Sequence, residues 1–317
     1  MKSQTELISV PCPLCKHQDH KLFRYLNGHP IVRCNKCDFR FANPRPSEDK
    51  LLRAYTKSSL DDEISFATCL TDKVSVEHSY SWAGLYVLKR LRQKLGIGRM
   101  IDIGAGQGWA VMQALSLGYD AYGFEFGDER AFHKDRRIKD RIFSDEKILS
   151  TKSPFDFLFS SAVLEHVFNP KDFLLYWMKT LKPGGYFTLA AIPNVDSYFI
   201  KLGLESWDGN FPYLHLNYFN RPTLERLIND VGGKVVDFYT LGIPVSFSIR
   251  NITRQKFFEE NAWGDNSRNW SFAKKMNDAR HKKGGFAYNL SAQVVNQLMI
   301  LTGGGANLYF TFQKTSE

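Results

Sequence analysis

Arg99-Met-Ile-Asp-Ile-Gly-Ala-Gly-Gln-Gly-Trp109 decides the fold. Its apolar half reads as a short strand. The alternating glycines at 104, 106 and 108 then let the chain turn sharply and admit a ligand close to the backbone, with no Cβ in the way. The amides that follow open a helix N-terminus, a natural seat for a negatively charged group. Asp120-Ala-Tyr-Gly-Phe-Glu125 reads as a second strand with a carboxylate at its end, where a ribose diol can be gripped. The spacing is G-x-G-x-G, and Trp109 stands where the G-x-G-x-x-G dinucleotide fingerprint wants a small residue.

Downstream, Phe155-Asp-Phe-Leu-Phe-Ser160 is a buried-type strand followed by Ser161-Ala-Val-Leu-Glu-His-Val-Phe-Asn-Pro170. Leu181-Lys-Pro-Gly-Gly-Tyr-Phe-Thr-Leu-Ala-Ala-Ile-Pro193 reads as a helix end, a tight Pro-Gly-Gly turn and another strand. In order and spacing, residues 80 to 242 resemble class I S-adenosylmethionine (SAM) methyltransferases. That resemblance implies an α/β, Rossmann-like fold with a seven-stranded sheet and an antiparallel last strand. It also implies SAM as cofactor.

At 317 residues and 43% hydrophobic content, the chain can bury a full α/β core and carry extra parts at both ends. It opens Met-Lys-Ser-Gln-Thr-Glu with no apolar h-region, and no run of about 18 apolar residues occurs. The expectation is a soluble, cytoplasmic protein with no membrane span. The net charge of +9 is uneven: +6 over residues 1–57, −2 over 58–240 and +5 over 241–317. Basic flanks of this kind either attract phosphates, RNA or an anionic surface, or are solvated surface.

Four of the five cysteines fall as Cys12-Pro-Leu-Cys15 and Cys34-Asn-Lys-Cys37, two C-x2-C pairs separated by 18 residues. This spacing suits a zinc ribbon, because two thiolates from each knuckle complete a tetrahedron. Disulfides do not suit a cytosolic chain, a redox pair needs one C-x-x-C, and an iron–sulfur cluster usually has more clustered spacing. Four protein ligands close the site, so the zinc is expected to fold the N-terminal module and do no chemistry. His17, His20 and His29 read as surface residues, and Cys69 as a lone thiol. The ribbon followed by Asn43-Pro-Arg-Pro46 and the sheet resembles a methyltransferase subgroup that includes sugar C-methyltransferases and enzymes of surface-polysaccharide and antibiotic pathways.

The chain divides into a ribbon at 1–57, connecting helix at 58–98 and a SAM-binding domain at 99–317. Trp82, Leu85, Tyr86, Leu88 and Leu91 recur at helical spacing, and Gly96-Ile-Gly98 ends that run. A helix at 222–231 stops at Gly232-Gly233 and is followed by a strand at 234–239. Residues 243–305 form an insertion, with a short amphipathic helix near 292–301, before the last strand at 306–313.

Cofactor contacts are expected from Gly104, Gly106, Gly108 and the adjacent backbone, with Asp102 ordering the loop and Glu125 on the ribose. Ser160 and Ser161 are expected toward the methionine end. Glu165 and His166 follow, at the cleft where an acceptor must lie. Histidine is the side chain whose free pKa suits proton abstraction near neutrality. The resemblance to sugar methyltransferases makes His166 the general base and Glu165 its orienting partner; bracing of the helix, substrate binding and metal ligation remain alternatives. Trp207-Asp-Gly-Asn-Phe-Pro-Tyr-Leu-His-Leu-Asn-Tyr-Phe219 gathers aromatics, an imidazole and an amide into one loop. It suits stacking on a sugar or heteroaromatic ring, or else forms a hydrophobic lid. His215 and Tyr218 are its leading candidates, and either can be the base if His166 is not.

The resulting reading is methyl transfer to a small hydroxylated acceptor, such as a nucleotide-linked sugar or polysaccharide precursor, with C- or O-methylation undecided. One rival is an RNA base methyltransferase, disfavoured because there is no dense Lys/Arg stripe and no Asn/Asp-Pro-Pro-Tyr motif after the fourth strand. The other is a non-catalytic SAM-binding protein.

Overall fold

The computed structural model describes residues 7–26, 28–56, 81–106, 108–126, 138, 140–202, 215–242, 294 and 296–315. Cys69, the 207–214 part of the aromatic loop and most of the 243–305 insertion lie outside these residues.

The N-terminal region runs β1 (Leu7–Ile8), β2 (His20–Leu26), β3 (His29–Cys34), β4 (Arg40–Ala42), β5 (Arg45–Pro46) and α1 (Glu48–Thr56). The remainder runs α2 (Ser81–Leu95), β6 (Arg99–Ile103), α3 (Trp109–Ser116), β7 (Asp120–Phe124), β8 (Ile142–Phe143), α4 (Lys147–Lys152), β9 (Phe155–Ser161) and α5 (Pro170–Met178). It continues with β10 (Leu181–Pro193), α6 (Tyr198–Lys201), β11 (Asn217–Tyr218), α7 (Arg221–Asp230), β12 (Gly233–Leu241) and β13 (Asn307–Lys314).

The main sheet has seven strands in the order β12-β13-β10-β9-β6-β7-β8. Strands β6 to β10 pair in parallel, and β13 is antiparallel to both β10 and β12. This is the sheet expected from the sequence. Its strands read as apolar runs because helices cover both faces. Alternation sorts the side chains. Ile101, Ile103, Leu158, Phe187 and Leu189 face one buried cluster with Leu174 and Trp177 of α5. Met100, Phe157 and Phe159 face the other, with Val87, Leu88 and Leu91 of α2.

The helix ends follow local chemistry. Asn220 caps α7 by accepting from the Thr223 amide at 3.1 Å, the Thr223 hydroxyl accepts from the Asn220 amide in return, and Pro222 sits in the first turn. Trp109, the departure from the dinucleotide fingerprint, is accommodated by a second glycine. A Cβ built on Gly84 of α2 would lie 1.9 Å from its ring. One local expectation changes: Pro-Gly-Gly does not separate two elements but lies inside β10 as an irregularity. Leu181 pairs with Phe155 and Tyr186 with Phe157, so the intervening residues bulge out of the ladder.

The ribbon strands form a four-stranded antiparallel sheet in the order β11-β4-β3-β2. Its edge strand β11 comes from the chain between β10 and α7. Asn217 pairs with Phe41, and Tyr218 with Arg40. The ribbon is therefore built into the larger domain. Cys12, Leu14, Cys34, Cys37, Phe39 and Phe41 share one buried cluster with Leu164, Trp177 and Phe219. Across this junction, Arg40 Nη1 donates to Asp196 Oδ1 at 2.8 Å. Among the described residues, no helix is long and apolar enough to cross a membrane.

Candidate active site and cysteine centre

The order of strands in the main sheet reverses between β6 and β9, because β7 and β8 are laid to one side of β6 while β9 and β10 are laid to the other. Ligands of open α/β sheets bind in the crevice at the carboxyl ends of strands at such a point. The loop after β6 carries the glycines, and the turn after β9 carries Glu165 and His166.

Gly104 has φ +76° and donates its amide to Phe124 O of β7 at 2.8 Å. A Cβ there would come 2.5 Å from Val163 Cγ2, so the glycine turn and the turn after β9 are in close contact. At Gly106, φ is +52° and a Cβ would meet nothing within 4 Å. That open side is a cradle a ligand can enter. Gly108 is the N-cap of α3. Glu125 follows β7 and accepts from the Gly106 amide at 2.6 Å and the Phe126 amide at 2.9 Å, which fixes its carboxylate against the loop. Asp102 is buried with its Oδ1 unpartnered among the described residues, and burial, then the Glu125 charge, raises its pKa to about 8. The Ser160 hydroxyl donates to Ile103 O at 3.2 Å, linking β9 to the end of β6. Half-buried Ser161 ends β9 opposite Ala190. Ala162, the next residue, has φ +54°, a conformation uncommon for a residue with a Cβ.

Glu165, His166 and His215 come together, each offering one atom of a group lying within 4.8 Å of one another. His166 Nε2 lies 3.9 Å from Glu165 Oε1, and the two imidazoles meet edge to face at 4.7 Å. Burial raises the Glu165 carboxyl to about 8, and among the described residues its Oε2 has no partner. Burial, reinforced by His166, holds the His215 pKa well below the ordinary histidine value, so this ring is neutral at pH 7. Burial that disfavours the charged imidazolium makes His215 a weak proton acceptor and suits its neutral ring to holding a hydrogen bond. Tyr218 is placed differently: it packs with Leu26, Ile31, Ala42 and Val195 on the ribbon side.

Two residues absent from the sequence reading hold this turn. Asn217 Nδ2 donates to Val167 O at 2.7 Å and Leu164 O at 3.2 Å, while the Leu216 and Asn217 amides both donate to Glu165 O, at 2.7 and 3.0 Å. Arg45 of β5 donates from Nη1 to Phe168 O at 3.3 Å. A polar residue just past His215 was the available signal for Asn217. Arg45 had no signal beyond its Asn-Pro-Arg-Pro context.

The cysteines form a second centre, with the four sulfurs within 4.8 Å of one another. Cys12 Sγ lies 3.4 Å from Cys37 Sγ, and Cys15 Sγ 3.6 Å from Cys34 Sγ. Sulfurs on a tetrahedral zinc with ordinary bonds sit about 3.8 Å apart. The two knuckles repeat one geometry. Lys16 donates its amide to Cys12 O and Asp38 to Cys34 O, and both residues are left-handed, at φ 59° and 66°. The Cys12 amide in turn reaches His17 O, and the Cys34 amide reaches Phe39 O. His20 bonds Asn43 and His17 pairs with Asp19, so neither is drawn into the cysteine group.

Residues 60–237, more than half the chain, match the family described as a methyltransferase domain. The chain belongs to that family. Among individual relatives, it is 24% identical over 178 residues to the biotin biosynthesis bifunctional protein BioHC of Cellvibrio japonicus, covering 54% of this chain and 35% of that protein. It is 28% identical over 109 residues to the ubiquinone biosynthesis O-methyltransferase of Maricaulis maris, covering 32% of this chain and 43% of that protein. The chain thus spans less than half the length of either relative. Among solved structures, 1,6-didemethyltoxoflavin-N1-methyltransferase of Burkholderia thailandensis, bound to its substrate and S-adenosylhomocysteine, shares the fold. The TM-score is 0.50 at 13% identity, covering 94% of this chain and 100% of that one.

Proposed function

We propose that the protein transfers a methyl group from SAM to a hydroxylated small molecule, a nucleotide-linked sugar or polysaccharide precursor, with His166 taking the proton. The observation that carries this reading is the Glu165–His166–His215 group standing beside the glycine loop at the switch point of the sheet. The residues present fit the cofactor: an open cradle at Gly106, a carboxylate fixed beside it and a buried Asp102 beneath. Asp102, Gly104, Gly106, Gly108, Glu125, Ser160 and Ser161 would hold it, Ser160 by keeping β6 and β9 in register.

SAM supplies a methyl on a positively charged sulfur, which takes the electrons of the broken C–S bond as a neutral thioether. The chain's own task is to align the acceptor and receive its proton. His166 accepts the proton from a hydroxyl, or from carbon next to a keto group, as the new bond forms. Glu165 orients that ring, and neutral His215 packs edge to face against it. Tyr218, packed under the ribbon, acts through the position of His215. The four cysteines would hold a structural zinc with no open position, in a thiol-reducing, cytoplasmic setting. The proposed division is ribbon, connecting helix and methyltransferase domain, with strand β4 of the ribbon paired to β11.

Methyl-labelled SAM incubated with a panel of nucleotide-linked sugars, keto-sugars and RNA tests this. Label is expected on a sugar. His166→Ala is expected to lower that transfer by about 10²–10⁴ while SAM affinity stays at the parent value. Label on RNA, or tight SAM binding with no transfer to anything, would overturn the reading.

A further inference from the structure

We propose that Asn217 is a positioning residue for methyl transfer: its carboxamide holds the 164–167 turn so that the His166 ring faces His215. This deepens the function proposed above, since it rests on His166 taking the acceptor's proton.

The chain after β9 makes a tight turn, closed by the His166 amide donating to Val163 O at 2.9 Å. The carbonyls of Leu164, Glu165 and Val167 must then find donors elsewhere. Two consecutive residues about 50 positions along the chain supply them. Glu165 O accepts from the amides of Leu216 and Asn217, at 2.7 and 3.0 Å, while Asn217 Nδ2 donates to Val167 O at 2.7 Å and Leu164 O at 3.2 Å. Leu164, Glu165 and Asn217 are all buried, so water is not at hand to replace a lost donor.

Both partners of the side chain are carbonyls, which only accept, so the position calls for an NH2 group. Oδ1 has no partner among the described residues, so donation is what the carboxamide supplies there. The same residue also bears on His215. Its backbone pairs with Phe41 in the β11–β4 ladder, and His215 stands two residues before it, with its ring 4.7 Å from that of His166 at 71°. Asn217 thus belongs to the ladder by its backbone and to the turn by its side chain, and one imidazole is presented from each.

The test compares the parent with Asn217→Asp, of the same shape, and Asn217→Leu, of similar size; neither offers the pair of donors. All are measured with SAM bound. The first readout needs no acceptor: the Overhauser contact between the His166 and His215 rings, assigned by its loss in His166→Ala. That contact is expected in the parent and absent in both variants, with SAM affinity unchanged. With an acceptor, kcat is expected to fall by about 10²-fold, the scale of a misplacement near 1 Å, while KM stays close to the parent value. A variant that keeps either the ring contact or the parent kcat, beside an inactive His166→Ala, overturns this proposal alone. Full transfer by His166→Ala overturns the base reading and this proposal with it. If Asn217→Leu fails to bind SAM, Asn217→Asp decides by the same readouts. Loss of SAM binding in both variants makes Asn217 a residue of the fold as a whole and overturns the positioning role.

Discussion

The loop after β6 and the turn after β9 stand side by side at the carboxyl edge of the sheet, yet they are held in opposite ways. The glycine loop is fixed from nearby in sequence, by the Phe124 carbonyl and the Glu125 carboxylate at the end of the neighbouring strand. The Glu165 turn is fixed from far away, by Arg45 and Lys16 of the ribbon and by Asn217 of β11, which is itself a strand of the ribbon's sheet. On the function proposed above, the cofactor half of the site is a local device, and the acceptor half is an assembly. Disturbing the ribbon should damage transfer while sparing cofactor binding, and disturbing the glycine loop should weaken cofactor binding, with transfer falling as a consequence.

The largest separation is expected within the glycine loop. Gly104→Ala places a Cβ 2.5 Å from Val163 at a φ of +76°. The left-handed conformation alone costs about 1–2 kcal/mol. Thermal stability should therefore fall, and SAM binding with it, because the clash with Val163 displaces the loop. Gly106→Ala meets no atom within 4 Å but carries the same left-handed strain at φ +52°, about 1–2 kcal/mol, so it should melt above Gly104→Ala and still bind SAM more weakly than the parent, measured by calorimetry beside a melting curve. Parent-like SAM affinity in Gly106→Ala would remove the cradle from the account.

A smaller effect comes from the buried carboxyl of the acceptor half. The folded pKa of Glu165, about 8, lies above that of an exposed glutamate, so the unfolded chain releases this proton first as pH rises. Between about pH 4.5 and 8 the parent should lose stability from this group, by at most about 1.4 kcal/mol per pH unit. Glu165→Gln lacks that loss, so its stability advantage should grow across the window in paired denaturant titrations. His215 is common to both proteins and cancels in the difference. An advantage that shrinks with pH would mean the carboxylate is charged and partnered in the folded state.

Much of this was legible in the sequence because it is written locally. Strand runs, the helical spacing of Leu88 and Leu91, the glycine loop with Glu125, and the paired C-x2-C knuckles each sit in a window of a few residues, where periodicity and turn chemistry act. What escaped was long-range. Strand β11 is two residues long, too short to alternate, and it exists only because β4 offers an edge for Asn217 and Tyr218 to pair with. The hold of Asn217 on the 164–167 turn follows from that pairing, and Arg45 is buried against Phe41 and Phe168, residues far from it in sequence or unmarked by any local pattern. Tyr218, read from its aromatic neighbours as a site candidate, packs with Leu26, Ile31 and Ala42 of the ribbon and with Val195. The Pro-Gly-Gly segment carried a correct turn signal, but pairing with β9 on either side absorbs it as a bulge.

The most direct test of the two-half account uses one preparation of the full chain, before and after zinc is stripped by a chelator and then restored. SAM affinity and methyl transfer to the best acceptor are followed together. The account predicts that stripping abolishes transfer, leaves SAM affinity within about threefold, and is reversed by zinc, since metal binding and ribbon folding are coupled. Transfer that persists without zinc, or SAM binding that collapses with it, would contradict the account.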